Sequence, residues 1–122
     1  YNANNRDLLD KYNIKTILNV TDDLPNLYSE TYKYHSIKIR DSRDSFISKY
    51  LEESYKYITE NNDKPILVHC YMGSSRSASV VIFYIMKKYN LKFEVAYSIV
   101  KHKRNIINPN MNFVNELKNI KF

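Results

Sequence analysis

Residues 66–80 read ILVHCYMGSSRSASV, and the predicted fold rests mainly on this stretch. Its first three residues are all apolar, which is typical of a strand covered on both faces of a parallel sheet. From Ala78 to Tyr89 apolar residues recur at helical spacing, so a helix is predicted to begin near Arg76. The stretch therefore predicts a strand, a tight loop and a helix in direct succession.

The rest of the chain alternates between helix and strand patterns. These patterns predict, in order, a helix ending near residue 13, strands over 16–20 and 32–39, a helix over 47–58, and, beyond the central stretch, helices over 93–104 and from 109 onward. Asp44 or Ser45 is available to cap the helix over 47–58. Strands separated by helices predict an α/β fold with a central, mainly parallel sheet flanked by helices. In such sheets ligands bind at the carboxyl ends of the strands.

The composition fits one domain over residues 1–122, because no linker, repeat or low-complexity tract divides the chain. No apolar run approaches the roughly 18 residues that indicate a membrane span. A single cysteine excludes an internal disulfide and favours a reducing compartment, so we expect a cytoplasmic location, with the nucleus as the alternative. The net charge of +6 favours acidic partners, such as phosphorylated proteins, nucleic acid or an anionic membrane surface.

The loop between Cys70 and Arg76 contains Gly73, the only glycine of the sequence. Glycine permits positive φ and close approach of the backbone to a ligand, and a loop whose N–H groups converge on an anion demands such geometry. The amides and macrodipole of the following helix add partial positive charge at the same point. The predicted phosphate-binding residues are Tyr71, Met72, Gly73, Ser74, Ser75 and Arg76.

Four side chains around this loop suit the chemistry of phosphate transfer. A cysteine at a helix N-terminus is expected to ionise below the usual thiol pKa of about 8.5, so Cys70 would act as a thiolate nucleophile. Arg76 has a planar fork of donors that matches two phosphate oxygens. Ser77 offers a hydroxyl that would stabilise the departing thiolate, and His69 would orient the loop by hydrogen bonding. Each residue alone has an ordinary structural explanation, but their combination in one loop indicates catalysis.

The pattern His-Cys-x-x-Gly-x-x-Arg-Ser at residues 69–77 resembles the signature of protein tyrosine phosphatases. Segments 17–21 and 104–110 resemble the corresponding segments of the dual-specificity branch, so that the resemblance covers nearly the whole chain. It implies that the family's first strand would precede Tyr1 and is missing or cut. Tyr71 and Met72 stand where family members often carry smaller residues, which implies an unusual rim of the pocket.

A phosphatase of this type needs a group that protonates the leaving oxygen and then activates water. In the resembling family this acid lies in a loop after a strand upstream of the cysteine, and Asp41 occupies that place. Asp44 is the alternative, although capping of the next helix is the more economical explanation for this residue. The hypothesis is a phosphocysteine at Cys70, with Asp41 as acid and then base and with no metal or organic cofactor.

Three functions are compatible with this loop. The first is hydrolysis of phosphotyrosine and phosphoserine or phosphothreonine in proteins, as in signalling. The second is a phosphatase for RNA 5′ ends or phosphoinositides. The uncharged loop residues weaken the lipid option. The net charge and the basic run at 101–104 leave RNA open, although such a run is usually a solvated helix face. The third is a module that binds phosphorylated proteins without turnover. The sequence leaves the oligomeric state open.

Overall fold

The computed structural model describes residues 6–21, 25–26, 28, 30–40, 47–61, 63, 65–70 and 75–120. The elements in this part of the chain are α1 (Arg6–Lys11), β1 (Thr16–Asn19), β2 (Lys33–Ser36), α2 (Ser48–Glu60), β3 (Ile66–His69), α3 (Arg76–Tyr89), α4 (Phe93–Lys103) and α5 (Met111–Lys118). Each predicted helix and strand is present, although β2 covers only four of the eight residues predicted for it. Among the described helices, none combines the length and apolar character that crossing a bilayer requires.

The three strands form a parallel sheet in the order β2-β1-β3, so the predicted α/β fold with a parallel sheet flanked by helices is confirmed. β1 is the central strand, and its Ile17 and Leu18 are fully buried. The side chains of β3 before His69 are only half-buried, because β3 is an outer strand among those that the structure describes. Burial on both faces, which the sequence predicts for β3, is therefore found in β1 instead.

Alternation along β1 sends Ile17 to one face of the sheet and Leu18 to the other. Ile17 packs with Leu9 of α1 and with Tyr32 in a small cluster. Leu18 belongs to a larger core that takes residues from α2, α3, α4 and α5, including the fully buried Phe113. Burial of each such side chain contributes about 1.5–3 kcal/mol, so α5 is held firmly in the larger core.

The N-terminus of α2 is capped by a side chain from another helix. The N-cap position is Ile47, whose side chain has no group that accepts a hydrogen bond. The carboxylate of Glu116 in α5 accepts the backbone N–H groups of Ile47 and Ser48 instead. Asp44 and Ser45, the predicted caps, lie outside the described residues. The helix is thus capped from a distant part of the chain.

Candidate active site

Cys70 lies directly after β3, at the carboxyl edge of the sheet, and is 2% exposed. The carbonyl of the preceding His69 accepts the N–H of Val20 at 2.9 Å, which ties the end of β3 to the central strand. Arg76 is the first residue of α3. The structure therefore holds both ends of the predicted anion-binding loop in rigid elements.

The hydroxyl of Ser77 faces the sulfur of Cys70. The Sγ and Oγ atoms are 3.3 Å apart, and both residues are buried. Ser77 is the second residue of α3, so the helix backbone fixes the position of its hydroxyl. When the cysteine is a thiolate, the hydroxyl is the donor of this bond, and the hydrogen bond favours the ionised sulfur.

The guanidinium of Arg76 is buried, with only 5% of the residue exposed. Its Nη1 donates to the backbone carbonyl of Ile39 at 3.0 Å. This burial excludes the ordinary explanation of a solvent-exposed arginine on a helix surface. The bond to Ile39 orients the positive group at the N-terminus of α3 and joins that helix to the segment that follows β2.

His69 is 5% exposed, and burial lowers its pKa below the usual 6.5. A hydrogen bond with the backbone of Cys70 acts in the opposite direction, whereas the positive charge of Arg76 lowers the pKa further. The ring is therefore neutral at pH 7. A neutral buried ring bonded to the backbone of Cys70 suits an orienting role better than proton transfer.

Ser75, at the end of the predicted anion-binding loop, connects this point to α5. Its hydroxyl accepts the N–H of Asn110 at 3.0 Å, and the side chain of Asn110 in turn caps α5 by accepting the N–H of Phe113 at 3.0 Å. The carbonyl of Ser75 accepts both the N–H and the hydroxyl of Ser79 in the first turn of α3. Ser75 thus anchors two helices beside the site, a role that the sequence did not indicate.

A buried polar network shapes the same edge of the sheet after β1. Asn19 Oδ1 accepts the N–H of Thr21 at 3.1 Å and its hydroxyl at 2.8 Å. The Nδ2 group of Asn19 donates to Asn26 at 2.9 Å. Sequence reasoning did not assign a function to these residues, and the structure shows them fixing the backbone beside β3.

Several of the predicted site residues lie outside the described residues. These are Asp41, the alternative acid Asp44, and the loop residues Tyr71, Met72, Gly73 and Ser74. The structure does bring together His69, Cys70, Ser75, Arg76 and Ser77. In the described ranges, no group of three His, Cys, Asp or Glu side chains is arranged to hold a metal ion.

Comparison with known proteins gives a family match over almost the whole chain. Residues 1–121 match the family model described as dual specificity phosphatase, catalytic domain. Protein phosphatase Slingshot of Drosophila melanogaster is 41% identical over 120 residues, which cover 97% of this chain and 12% of that protein. Dual specificity protein phosphatase 6 of Homo sapiens is 42% identical over 119 residues, covering 94% of this chain and 31% of that protein. The chain spans less than a third of the length of either relative.

A solved structure gives the same result for the fold. The crystal structure of DUSP15 has a TM-score of 0.87 to this chain at 28% identity, covering 95% of this chain and 75% of the other. A score of this size means that the described helices and strands share their arrangement with that structure.

Proposed function

Because this chain belongs to the dual-specificity phosphatase family, we propose that it hydrolyses phosphotyrosine and phosphoserine or phosphothreonine in proteins. The observation that carries the proposal is the buried Cys70 with the hydroxyl of Ser77 at 3.3 Å from its sulfur. The buried guanidinium of Arg76 lies at the N-terminus of the same helix. A thiol, a thiol-stabilising donor and a fixed cation are the groups that nucleophilic phosphate transfer requires.

In the first step the thiolate of Cys70 attacks phosphorus, and the S–P bond forms as the bond to the leaving oxygen breaks. Arg76 stabilises the negative charge that spreads over the equatorial oxygens of the transferred group. Asp41 donates a proton to the leaving oxygen of the tyrosine, serine or threonine. The products of this step are the dephosphorylated side chain and a phosphocysteine.

In the second step Asp41, now a carboxylate, removes a proton from a water molecule that attacks the phosphocysteine. The S–P bond breaks, and the bonding electrons return to the sulfur of Cys70. Ser77 donates a hydrogen bond to the departing thiolate, and this bond lowers the energy barrier of the step. The overall reaction consumes one water molecule and releases inorganic phosphate.

The charge of the chain fits an acidic, phosphorylated protein as substrate, since the net charge is +6. A signalling role in the cytoplasm, with the nucleus as the alternative, suits a nucleophile that must stay reduced to react. We also propose that residues 1–122 form a single catalytic domain.

The basic run at 101–104 gives less support to RNA as a substrate than its sequence suggests. Lys101 is half-buried, and its Nζ donates to the carbonyl of Ile107 at 3.0 Å, so this lysine stabilises the chain after α4. His102, Lys103 and Arg104 are exposed. An exposed run of three residues at a helix end is ordinary for a solvated surface.

The test is a turnover assay on four substrates: a phosphotyrosyl peptide, a phosphothreonyl peptide, an RNA 5′-triphosphate and an inositol phospholipid. We expect hydrolysis of the two peptides, and complete loss in Cys70→Ser. Ser98→Ala, which removes an exposed hydroxyl in α4, is the matched control and should keep full activity.

Three results would contradict the proposal. Activity retained by Cys70→Ser would exclude Cys70 as nucleophile, and turnover confined to RNA or lipid would replace the protein substrate. Binding of the peptides without turnover by the unmodified chain would identify a phosphoprotein-binding module instead.

A further inference from the structure

The segment that follows β2 carries two positive charges beside the candidate active site. Ile37 and Ile39 are 3% and 1% exposed and belong to the larger core. Lys38 and Arg40, which alternate with these isoleucines, are exposed. In an extended segment alternate side chains point to the same side. Lys38 and Arg40 therefore project into solvent from a segment whose other side is held in the core.

Two hydrogen bonds fix this segment next to the site. The N–H of Ile37 donates to the carbonyl of Asn19 at 2.9 Å, which keeps the chain beside β1 where β2 ends. Nη1 of Arg76 donates to the carbonyl of Ile39 at 3.0 Å. Arg40 is joined to that carbonyl by one peptide bond, so its Cα lies within about 6 Å of the guanidinium nitrogen. The backbone that carries both exposed charges is thus fixed relative to Arg76.

Cys70, the proposed nucleophile, lies at the same edge of the sheet. The three parallel strands are neighbours in the order β2-β1-β3, and adjacent strands lie about 4.8 Å apart. The end of β2 is therefore about 10 Å from the end of β3, which Cys70 follows directly. A peptide whose phosphate is bound by Cys70 and Arg76 has its next residues spaced about 3.8 Å apart. These neighbouring residues of the peptide come within reach of the segment after β2.

The charge of Lys38 is not neutralised by the part of the chain that the structure describes. No hydrogen bond or ion pair from a described residue engages its amino group. Other lysines are held: Lys33, at the start of β2, bonds to Asn61 at 2.8 Å. The carboxylate of Glu53, which reaches β2 from α2, is bound by His35 at 2.8 Å. The charge of Lys38 is therefore available to a ligand.

We propose that Lys38 and Arg40 determine specificity by favouring phosphorylated peptides that have an acidic residue within two positions of the phosphorylated residue. This inference rests on the proposed function, in which phosphorylated proteins are the substrates. Each exposed contact between opposite charges typically changes affinity by about 2- to 5-fold. The net charge of +6 favours acidic partners in general, and the segment bonded to Arg76 places two of these charges beside the bound phosphate.

The experiment compares three phosphotyrosyl peptides that differ only beside the phosphotyrosine, where they carry Glu, Gln or Lys. At about 50 mM salt we expect the unmodified chain to prefer the Glu peptide over the Gln peptide by about 5- to 20-fold in kcat/KM, mainly through KM. Lys38→Gln combined with Arg40→Gln should reduce this ratio to less than about 2-fold. Lys38→Glu combined with Arg40→Glu should invert the preference towards the Lys peptide. About 0.5 M salt should weaken the preference of the unmodified chain, because salt screens exposed charges.

The matched control removes two positive charges at the opposite end of α3. Lys88 lies in the last turn of α3 and Lys92 follows the end of this helix, and both are exposed. At a rise of about 1.5 Å per residue, Lys88 is about 18 Å from Arg76 along the helix. Lys88→Gln combined with Lys92→Gln should keep the ratio of the unmodified chain. An equal fall of the ratio in this control would assign the preference to net charge and overturn the inference.

The outcomes separate this inference from the proposed function. Equal turnover of the Glu and Gln peptides by the unmodified chain overturns the inference, while the proposed phosphatase activity stands. An equal loss on all three peptides in the Lys38→Gln and Arg40→Gln double variant would show a structural role and also overturns it. If the unmodified chain hydrolyses none of the peptides, the proposed function fails and the inference fails with it.

Two further measurements keep the inference testable. An unchanged peptide ratio in the double variant, together with a loss of turnover on an RNA 5′-triphosphate, would assign the two charges to nucleic acid and overturn the inference. Should the double variant not fold, Lys38→Gln alone decides. A fall of the Glu-to-Gln ratio by about 2- to 5-fold in this single variant supports the inference, and an unchanged ratio overturns it.

Discussion

Ser77→Ala removes a hydroxyl that lies 3.3 Å from the sulfur of Cys70 in a buried environment. A hydrogen bond to a charged group contributes about 1.5–3 kcal/mol, and burial leaves little room for water to replace it. At about 1.4 kcal/mol for each factor of ten in rate, the step in which the thiolate departs should slow by about 10- to 150-fold. The loss should appear in kcat, because that step is the hydrolysis of the phosphocysteine.

The assay is rapid mixing with p-nitrophenyl phosphate in excess. Ser77→Ala should release a burst of p-nitrophenol equal to the enzyme concentration and then turn over slowly, since the phosphocysteine accumulates. A second measurement follows alkylation of Cys70 by iodoacetamide against pH, where we expect the thiol pKa of the variant to rise by about one to two units. Ser98→Ala, whose hydroxyl bonds to the carbonyl of Glu94 in α4, is the control. An unaltered kcat together with an unshifted alkylation profile would show that Ser77 does not stabilise the thiolate.

Three further predictions concern stability, each measured by urea unfolding. Burial lowers the pKa of His69 in the folded state below the usual 6.5. At a pH between these two pKa values, the unfolded chain binds a proton at this residue and the folded chain does not. The contribution of His69 to the free energy of unfolding is therefore fully present above pH 6.5. It decreases as the pH falls below 6.5, by at most about 1.4 kcal/mol per pH unit, and His69→Asn should remove this pH dependence. The Tyr57 hydroxyl is buried without a hydrogen-bond partner among the described residues, so Tyr57→Phe should leave the free energy of unfolding unchanged or raise it by up to about 1 kcal/mol. A loss above about 1 kcal/mol would reveal a partner for the hydroxyl. Phe113→Ala should cost about 3–5 kcal/mol because the ring is fully buried, whereas Met111→Ala, at a residue 71% exposed, should cost less than about 0.5 kcal/mol.

The elements that local patterns define were predictable from the sequence. The apolar stripe after Arg76 gave α3, and Pro109 with Asn110 marked the start of α5, because a cap and a helical period depend on neighbouring residues. The predicted second strand was too long for a physical reason. Ile37 and Ile39 are buried like strand residues, but β1 ends at Asn19, so beyond the Ile37 N–H bond to Asn19 the ladder has no partner.

The contacts that build the site across the fold were not predictable in the same way. The bond from Arg76 ends on the carbonyl of Ile39, and a backbone acceptor has no signature in the sequence. Glu116 looks like any helical glutamate, and its partners at Ile47 and Ser48 become neighbours only when α5 packs into the core. By contrast, the proximity of Ser77 to Cys70 followed from a short loop between a strand and a helix.

The bonds at the two flanks of residues 40–46 reach mainly main-chain atoms, namely the carbonyl of Ile39 and the N–H groups of Ile47 and Ser48. Main-chain atoms are the same whichever side chain is attached, so substitutions between these flanks leave the attachment intact. Evolution can therefore alter the side chains next to Asp41, the proposed acid, without changing these bonds. For the same reason, a library randomised at positions 42, 43, 45 and 46 would test whether these side chains influence the choice of substrate while the two attachments stay in place.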